Sequence, residues 1–189
     1  MKEHKINKLD GFIKGWYIDK DVCKKLIKLF EENKKDQVKG IVAGGYKPKV
    51  KKSADLYISP NDPTYDFYYK TLSNCITSYK KIFPALDLYI DKWRIIKNIN
   101  IQKYKPKDGF FKWHTEQGDV QNATRMLVFM TYLNTVTNKG ETEWMHQKLK
   151  IKAEEGLTVI WPANWNFVHR GCPSNKETKY IITGWFDFY

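Results

Sequence analysis

Over the first ninety residues, apolar positions recur at helical spacing. Val22, Cys23, Leu26, Leu29 and Phe30 fall on one face of a helix. Asp19, just ahead of them, is a good N-cap because its carboxylate can accept from an otherwise unpaired backbone N–H. Ile18 and Cys23 stand where a hydrophobic staple would form. The polar run Glu31-Glu32-Asn33-Lys34-Lys35 closes this helix, and Gly40, Gly44, Gly45 and Pro48 break up residues 38–52, predicting a mobile loop. Pro63, after Asp62, suits the first position of a second helix. This helix carries Tyr65, Tyr68, Leu72, Cys75, Ile76, Tyr79 and Phe83 on one face and stops at Pro84.

Beyond residue 92 the texture changes to short β-prone runs separated by turn residues. They cover 93–96, 99–104, 110–114, 126–133, 148–152, 157–161 and 180–188. Strands that follow one another without intervening helices predict an antiparallel sandwich or barrel. Because the helices come first, the expected fold is α+β, mainly β: a jelly roll braced on one sheet by N-terminal helices. The chain reads as one domain over residues 1–189, with helical support to about residue 90 and the β-rich core from about 92. No internal repeat or low-complexity tract interrupts it.

Composition narrows the setting. The net charge of +12 favours anionic partners, yet only Arg94, Arg125 and Arg170 are arginine among 33 basic residues, and the lysines spread along the whole chain. Sequence-reading nucleic-acid binders favour clustered arginine, so the pattern weighs against a nucleic-acid partner. No apolar run approaches the roughly 18 residues needed to cross a membrane, and no signal-like stretch follows Met1. Cys23, Cys75 and Cys172 are an odd number at no metal-binding spacing, which predicts reduced thiols and a cytoplasmic location.

Chemistry concentrates in the β-rich half. His114 and Glu116 are two residues apart, so in an extended segment both project from the same face. One imidazole and one carboxylate fill two corners of a facial triad, a second histidine completes it, and the remaining coordination positions stay open. His169, 55 residues after His114 and beyond a turn at Pro162-Ala163-Asn164, is the candidate third corner. Asp119 is a rival carboxylate, but its five-residue spacing from His114 requires a turn. Arg170, beside His169 on a strand, would face away from the metal, and His4 and His146 read as surface residues.

A longer pattern is present around these residues. Tyr104, His114-Thr115-Glu116, Arg125, Tyr132-Leu133-Asn134, Gly140-Glu141-Thr142, Gly156, His169-Arg170-Gly171, Lys179 and Gly184-Trp185 together resemble the prolyl 4-hydroxylase branch of the 2-oxoglutarate- and Fe(II)-dependent oxygenases in order and spacing. The resemblance covers roughly residues 99–188. It implies a double-stranded β-helix in which His114, Glu116 and His169 bind iron(II) and 2-oxoglutarate (2OG) is the co-substrate. Lys179 would pair with the distal carboxylate of 2OG, Tyr104 and Tyr132 would hydrogen-bond it, and Trp185 would wall the pocket. Most relatives carry aspartate where this chain has Glu116, and the extra methylene must be absorbed if ligand distances are to stay near ~2.0–2.2 Å.

That resemblance predicts a hydroxylase acting on a peptide or protein substrate, with a peptidyl proline as the first expectation. Residues 38–58 would cover the bound chain. Two other readings remain open from sequence. One is oxidation of a free amino acid, another small molecule or a nucleobase. The other is a non-catalytic jelly-roll module that holds an anionic partner on its positive surface.

Overall fold

The computed structural model describes residues 2–4 and 11–189. After β1 (Lys2–His4) and β2 (Lys14–Tyr17), α1 spans Lys20–Glu32. Asp19 caps α1, its side chain accepting from the Asp21 N–H at 2.8 Å. β3 (Val38–Lys39) and β4 (Ala54–Ile58) lead to a 3-10 turn at Pro63–Tyr65, capped by Asp62, and then to α2 (Asp66–Ile82). The strands β5 (Trp93–Arg94), β6 (Ile99–Tyr104), β7 (Phe110–His114), β8 (Arg125–Tyr132), β9 (Thr142–Trp144), β10 (Leu149–Ile151), β11 (Leu157–Pro162), β12 (His169–Gly171) and β13 (Lys179–Phe188) complete the chain.

Two sheets result. The larger has nine strands in the order β1-β2-β11-β8-β13-β6-β4-β3, with β5 on the end of β13; the smaller has four in the order β10-β9-β12-β7. All the pairings are antiparallel. The arrangement is the expected jelly roll, mainly β, with both helices on one side of the larger sheet. No helix among the described residues is long and apolar enough to cross a membrane.

Two cores explain why β8 runs apolar without a break from Met126 to Met130. Successive side chains of a strand point to opposite faces. On β8, Leu127 and Phe129 therefore join Cys23, Leu26, Phe30, Tyr68, Leu72 and Tyr79 beneath the helices. Val128, Met130 and Tyr132, in between, join Trp144, Val159, Trp161 and Ile181 in the space between the sheets. A strand covered on both faces reads as a continuous apolar run, and burying each large side chain contributes about 1.5–3 kcal/mol.

Residues 38–52 depart from the expected free loop. Val42 and Gly45 bond each other's backbone at 3.1 and 2.8 Å, and residues 47–52 are tied to β7 through Phe111 N–H to Val50 O (2.8 Å) and Lys52 N–H to Gly109 O (2.9 Å). The backbone donors and acceptors that glycine and proline free from helix or sheet find partners in the neighbouring strand.

Candidate metal and co-substrate site

The site is built on strand register. β12 lies antiparallel to β7 with His169 directly opposite His114, and a bulge follows between His169 and Gly171. The imidazole centroids are 4.3 Å apart. Each ring is fixed by the same local device: Nδ1 of His114 lies 3.0 Å from the Lys112 carbonyl and Nδ1 of His169 lies 2.9 Å from the Phe167 carbonyl, in both cases two residues back along the chain. A carbonyl only accepts, so Nδ1 carries the proton and Nε2 presents its lone pair to the cleft.

Glu116 completes the cluster. Its Oε1 lies 3.5 Å from His114 Nε2 and 3.3 Å from His169 Nε2. Its other oxygen, Oε2, accepts from Trp185 Nε1 at 3.0 Å and from Arg125 at 3.3 Å; the same guanidinium nitrogen also donates to the Glu116 carbonyl at 3.0 Å. Arg125 in turn lies flat over the Trp185 ring, 3.6 Å from its centroid. Burial by itself would raise the Glu116 carboxyl, but in the metal-free site a proton on Nε2 of the neighbouring imidazoles bonds it, which outweighs burial and holds it well below the usual carboxylate range. Burial, followed by the neighbouring His169, pushes the His114 imidazolium down, which favours the neutral ligand form.

Among the described residues, His114, Glu116 and His169 are the one group of such side chains gathered closely enough for a metal, with their ligand atoms within 4.8 Å of one another. Two neutral imidazoles and one anion on one side of an open cleft fit a divalent first-row ion with free positions for other ligands. Phe110 stacks on the His114 ring at 3.7 Å, and Trp161 meets His169 edge-on at 5.1 Å, so aromatic side chains exclude water from the back of the site. Asp119 is not part of the cluster. It caps the 3-10 turn Val120–Asn122, and its carboxylate is bonded to Asn122.

The cleft has a volume of about 1130 Å³ and runs from this cluster to Lys179. Lys179 is buried opposite Tyr104 in the β13–β6 register. Its ammonium donates to the Gly140 carbonyl at 2.9 Å and the Cys172 carbonyl at 3.0 Å, and burial pushes it down to about 8. Gly140 has φ +87°, and a Cβ there would meet Val136 Cγ1 at 2.8 Å, so only glycine lets this turn offer its carbonyl.

The remaining candidates divide. Tyr104 lines the cleft, its hydroxyl donating to Gln102 Oε1. Trp185 lines it as well, but acts as a hydrogen-bond donor to Glu116 rather than only as a wall. Tyr132, expected at the co-substrate, does not line the cleft. It is enclosed between the sheets, and its hydroxyl donates to Thr142 Oγ1 at 2.7 Å, so it reaches the cleft only by positioning Thr142. Arg170 faces the opposite side, donating to Glu143 Oε2 at 2.7 Å, and His146 is an exposed residue. His4 instead bonds the Tyr17 hydroxyl at 2.9 Å.

Two features escaped the sequence reading. The clamp of Arg125 and Trp185 on Glu116 joins residues far apart in the chain, and nothing local signals it. The second is a buried ion pair under the cleft: Lys51 Nζ lies 2.7 Å from Asp55 Oδ2, with Ser53 donating to Oδ1 at 2.6 Å. Phe110 could have been found, since it lies an even number of residues from His114 on the same strand face.

Residues 99–187 match the family described as the 2OG-Fe(II) oxygenase superfamily. No curated protein matches the chain. Among solved structures, the collagen prolyl hydroxylase of Paramecium Bursaria Chlorella virus-1, in its 2OG complex, is similar over 95% of this chain and 98% of its own, at TM-score 0.68 and 20% identity. A Pseudomonas putida prolyl-4-hydroxylase aligns over 93% of this chain and 92% of its own, at TM-score 0.72 and 14% identity. A Trichoplax adhaerens prolyl hydroxylase, in complex with a hypoxia inducible factor oxygen degradation domain peptide fragment, aligns over 94% and 84%, at TM-score 0.73 and 16% identity. Residues 99–187, the β-rich half, thus match the 2OG-Fe(II) oxygenase superfamily, and the chain as a whole has the double-stranded β-helix fold that these prolyl hydroxylases share.

Proposed function

We propose that the protein hydroxylates a peptidyl residue, proline first, and that His114, Glu116 and His169 are its iron ligands. The observation that carries this reading is the pairing of His114 with His169 across β7 and β12, with one oxygen of Glu116 directed at both. Peptidyl proline is favoured because the fold is that of prolyl hydroxylases, one of them solved with a peptide fragment in place. The whole chain is read as one domain, because its helices and the larger sheet share a single core. A cytoplasmic location is favoured by an odd number of cysteines, three, at no metal-binding spacing.

Bound iron(II) with 2OG and O2 supplies the oxidation of a substrate C–H bond to C–OH, 2OG leaving as succinate and carbon dioxide. The chain's own residues bind and orient. Lys179 has used two of its three N–H donors on carbonyls, and the third is free for the distal carboxylate of 2OG. Tyr104 lies beside that position, its ring centroid 5.3 Å from the ammonium, and Thr142 and Ile181 narrow the cleft around it. Trp185 and Arg125 hold the outer oxygen of Glu116 so that only Oε1 is offered to the metal. A non-catalytic module would not need two imidazoles locked with Nε2 free beside an ionised carboxylate.

The test is anaerobic titration of iron(II) and 2OG into the metal-free protein, followed by the weak visible charge-transfer band of the chelate. A band present in the native protein and absent in His169→Ala is expected; once air is admitted, a proline-containing peptide should be hydroxylated and free proline left unchanged. Absence of the band at saturating iron would overturn the reading.

A further inference from the structure

Two loops meet at one wall of the cleft. Residues 38–52 and the segment from Lys103 to Lys112 are joined by the Phe111–Val50 and Lys52–Gly109 backbone bonds and by a bridge between Lys51 and Phe110. Both loops are strongly basic. Lys51, Lys52 and Lys103 are neutralised by Asp55, Asp108 and Glu31. Lys39, Lys47, Lys49, Lys105, Lys107 and Lys112 are exposed and pair with no carboxylate among the described residues. Like charges gathered within about a Debye length, ~8–10 Å, repel, and an anionic ligand relieves that repulsion.

The cleft itself carries the same imbalance. Its basic lining residues are Lys47, Lys51, Lys97, Lys112, Arg125 and Lys179, against only Glu116 and Asp119 as acids. Lys51, Lys97 and Arg125 already face Asp55, Asp187 and Glu116. Lys179 lies at the closed end. Lys47 and Lys112 therefore remain as free cations at the mouth, while Asp119 is held by Asn122. Ile41, Val42, Tyr57 and Ile96 add apolar surface to the same lining.

We infer that this wall selects an acidic peptide, one whose target residue is flanked by aspartate and glutamate, a conclusion that rests on the peptide-hydroxylase reading above. The charge matches carboxylates, and the apolar side chains match those of a peptide. Phosphate recognition favours the arginine fork, but Arg125, the one arginine in the cleft, is committed to Glu116. Residues 47–52 lie along the outer edge of β7, which ends at His114, so a chain entering along this wall runs past His114 toward the metal position.

The experiment measures binding apart from turnover. Fluorescein-labelled peptides with one central proline, either flanked by Asp and Glu or carrying Asn and Gln in their place, are titrated anaerobically into the full chain loaded with iron(II) and 2OG. A labelled single-stranded oligonucleotide of the same charge is the third probe. The acidic peptide should bind about tenfold more tightly than its neutral analogue, with the margin shrinking as salt rises. Lys47→Glu/Lys112→Glu should abolish the margin, whereas Lys70→Glu/Lys81→Glu on α2, which changes the same charge far from the cleft, should keep it.

Equal binding of the two peptides would overturn the inference, as would tighter binding of the oligonucleotide, or a margin that the Lys47/Lys112 variant retains. Failure of the hydroxylase reading is separately visible. In that case the acidic peptide would bind with its margin intact, yet its proline would gain no oxygen by mass when air is admitted.

Discussion

Trp185 Nε1 donates to the outer oxygen of Glu116 at 3.0 Å, while the inner oxygen of the same carboxylate faces both imidazoles. With Glu116 as a proposed ligand, the two oxygens have different duties, and the indole fixes which one would meet the metal. Trp185→Phe keeps the ring that Arg125 lies on but removes the donor. Partners behind a metal ligand typically influence affinity by about 10–100-fold. Iron(II) affinity, measured by competition with a chromophoric chelator, should fall by about tenfold, with little change in thermal stability.

Glutamate in place of the commoner aspartate has a consequence for Glu116→Asp. The side chain of Glu116 spans from the end of β7 to both imidazoles on one side and to Trp185 and Arg125 on the other. A shorter carboxylate cannot keep both sets of contacts on this backbone. Reverting to aspartate should therefore weaken iron(II) binding here by about tenfold. An equal or tighter affinity in the same chelator competition would show that the backbone adapts freely.

As the proposed partner of the distal carboxylate of 2OG, Lys179 should set a pH limit on co-substrate binding. Burial lowers its ammonium to about 8, so the free protein carries the charge below that pH and loses it above. A carboxylate ligand needs the charged form. The 2OG dissociation constant, followed by calorimetry with zinc in the metal site, should be level below pH 8 and rise through and beyond it. Lys179→Arg stays charged across this range and should remove the rise, whatever its affinity at neutral pH.

The Lys51–Asp55 pair is enclosed, and losing one partner leaves an uncompensated charge in the interior. Asp55→Ala should cost about 3–5 kcal/mol in urea unfolding. Replacing both residues together, as Lys51→Met/Asp55→Leu, should recover most of that loss. A single-variant cost below about 1 kcal/mol would mean that water reaches the pair.

Much of this architecture was legible along the chain, for reasons of length and periodicity. β6 and β7 carry long enough β-prone runs to be read with their full extents, and α1 announces itself through Asp19 and its apolar face. β9 and β12 have three residues each, too few for alternation to show, although β12 carries His169. β2, with Gly15 in its middle, is similarly silent. The candidate ligands were readable because a His-x-Glu pair on an extended segment is a local pattern. The contacts of Arg125 and Trp185 with Glu116 were not, since they depend on how β8 and β13 sit against β7. Tyr132, expected from the longer resemblance, shares the β8 face of Met130, which lines the cleft, but its hydroxyl is taken up by Thr142.

With His114 and His169 as the proposed ligands, their direct opposition also makes the metal a cross-link. An ion held by both ties together two strands separated by 55 residues of chain, much as a disulfide closes a loop. The smaller sheet has only four strands, two of them three residues long at the centre, so this clasp falls where the fold has least backbone to hold it. Iron supply and structural integrity are then coupled. On that reading a chain starved of metal should fray first at β7 and β12, and the surface it opens is the one that would otherwise receive substrate.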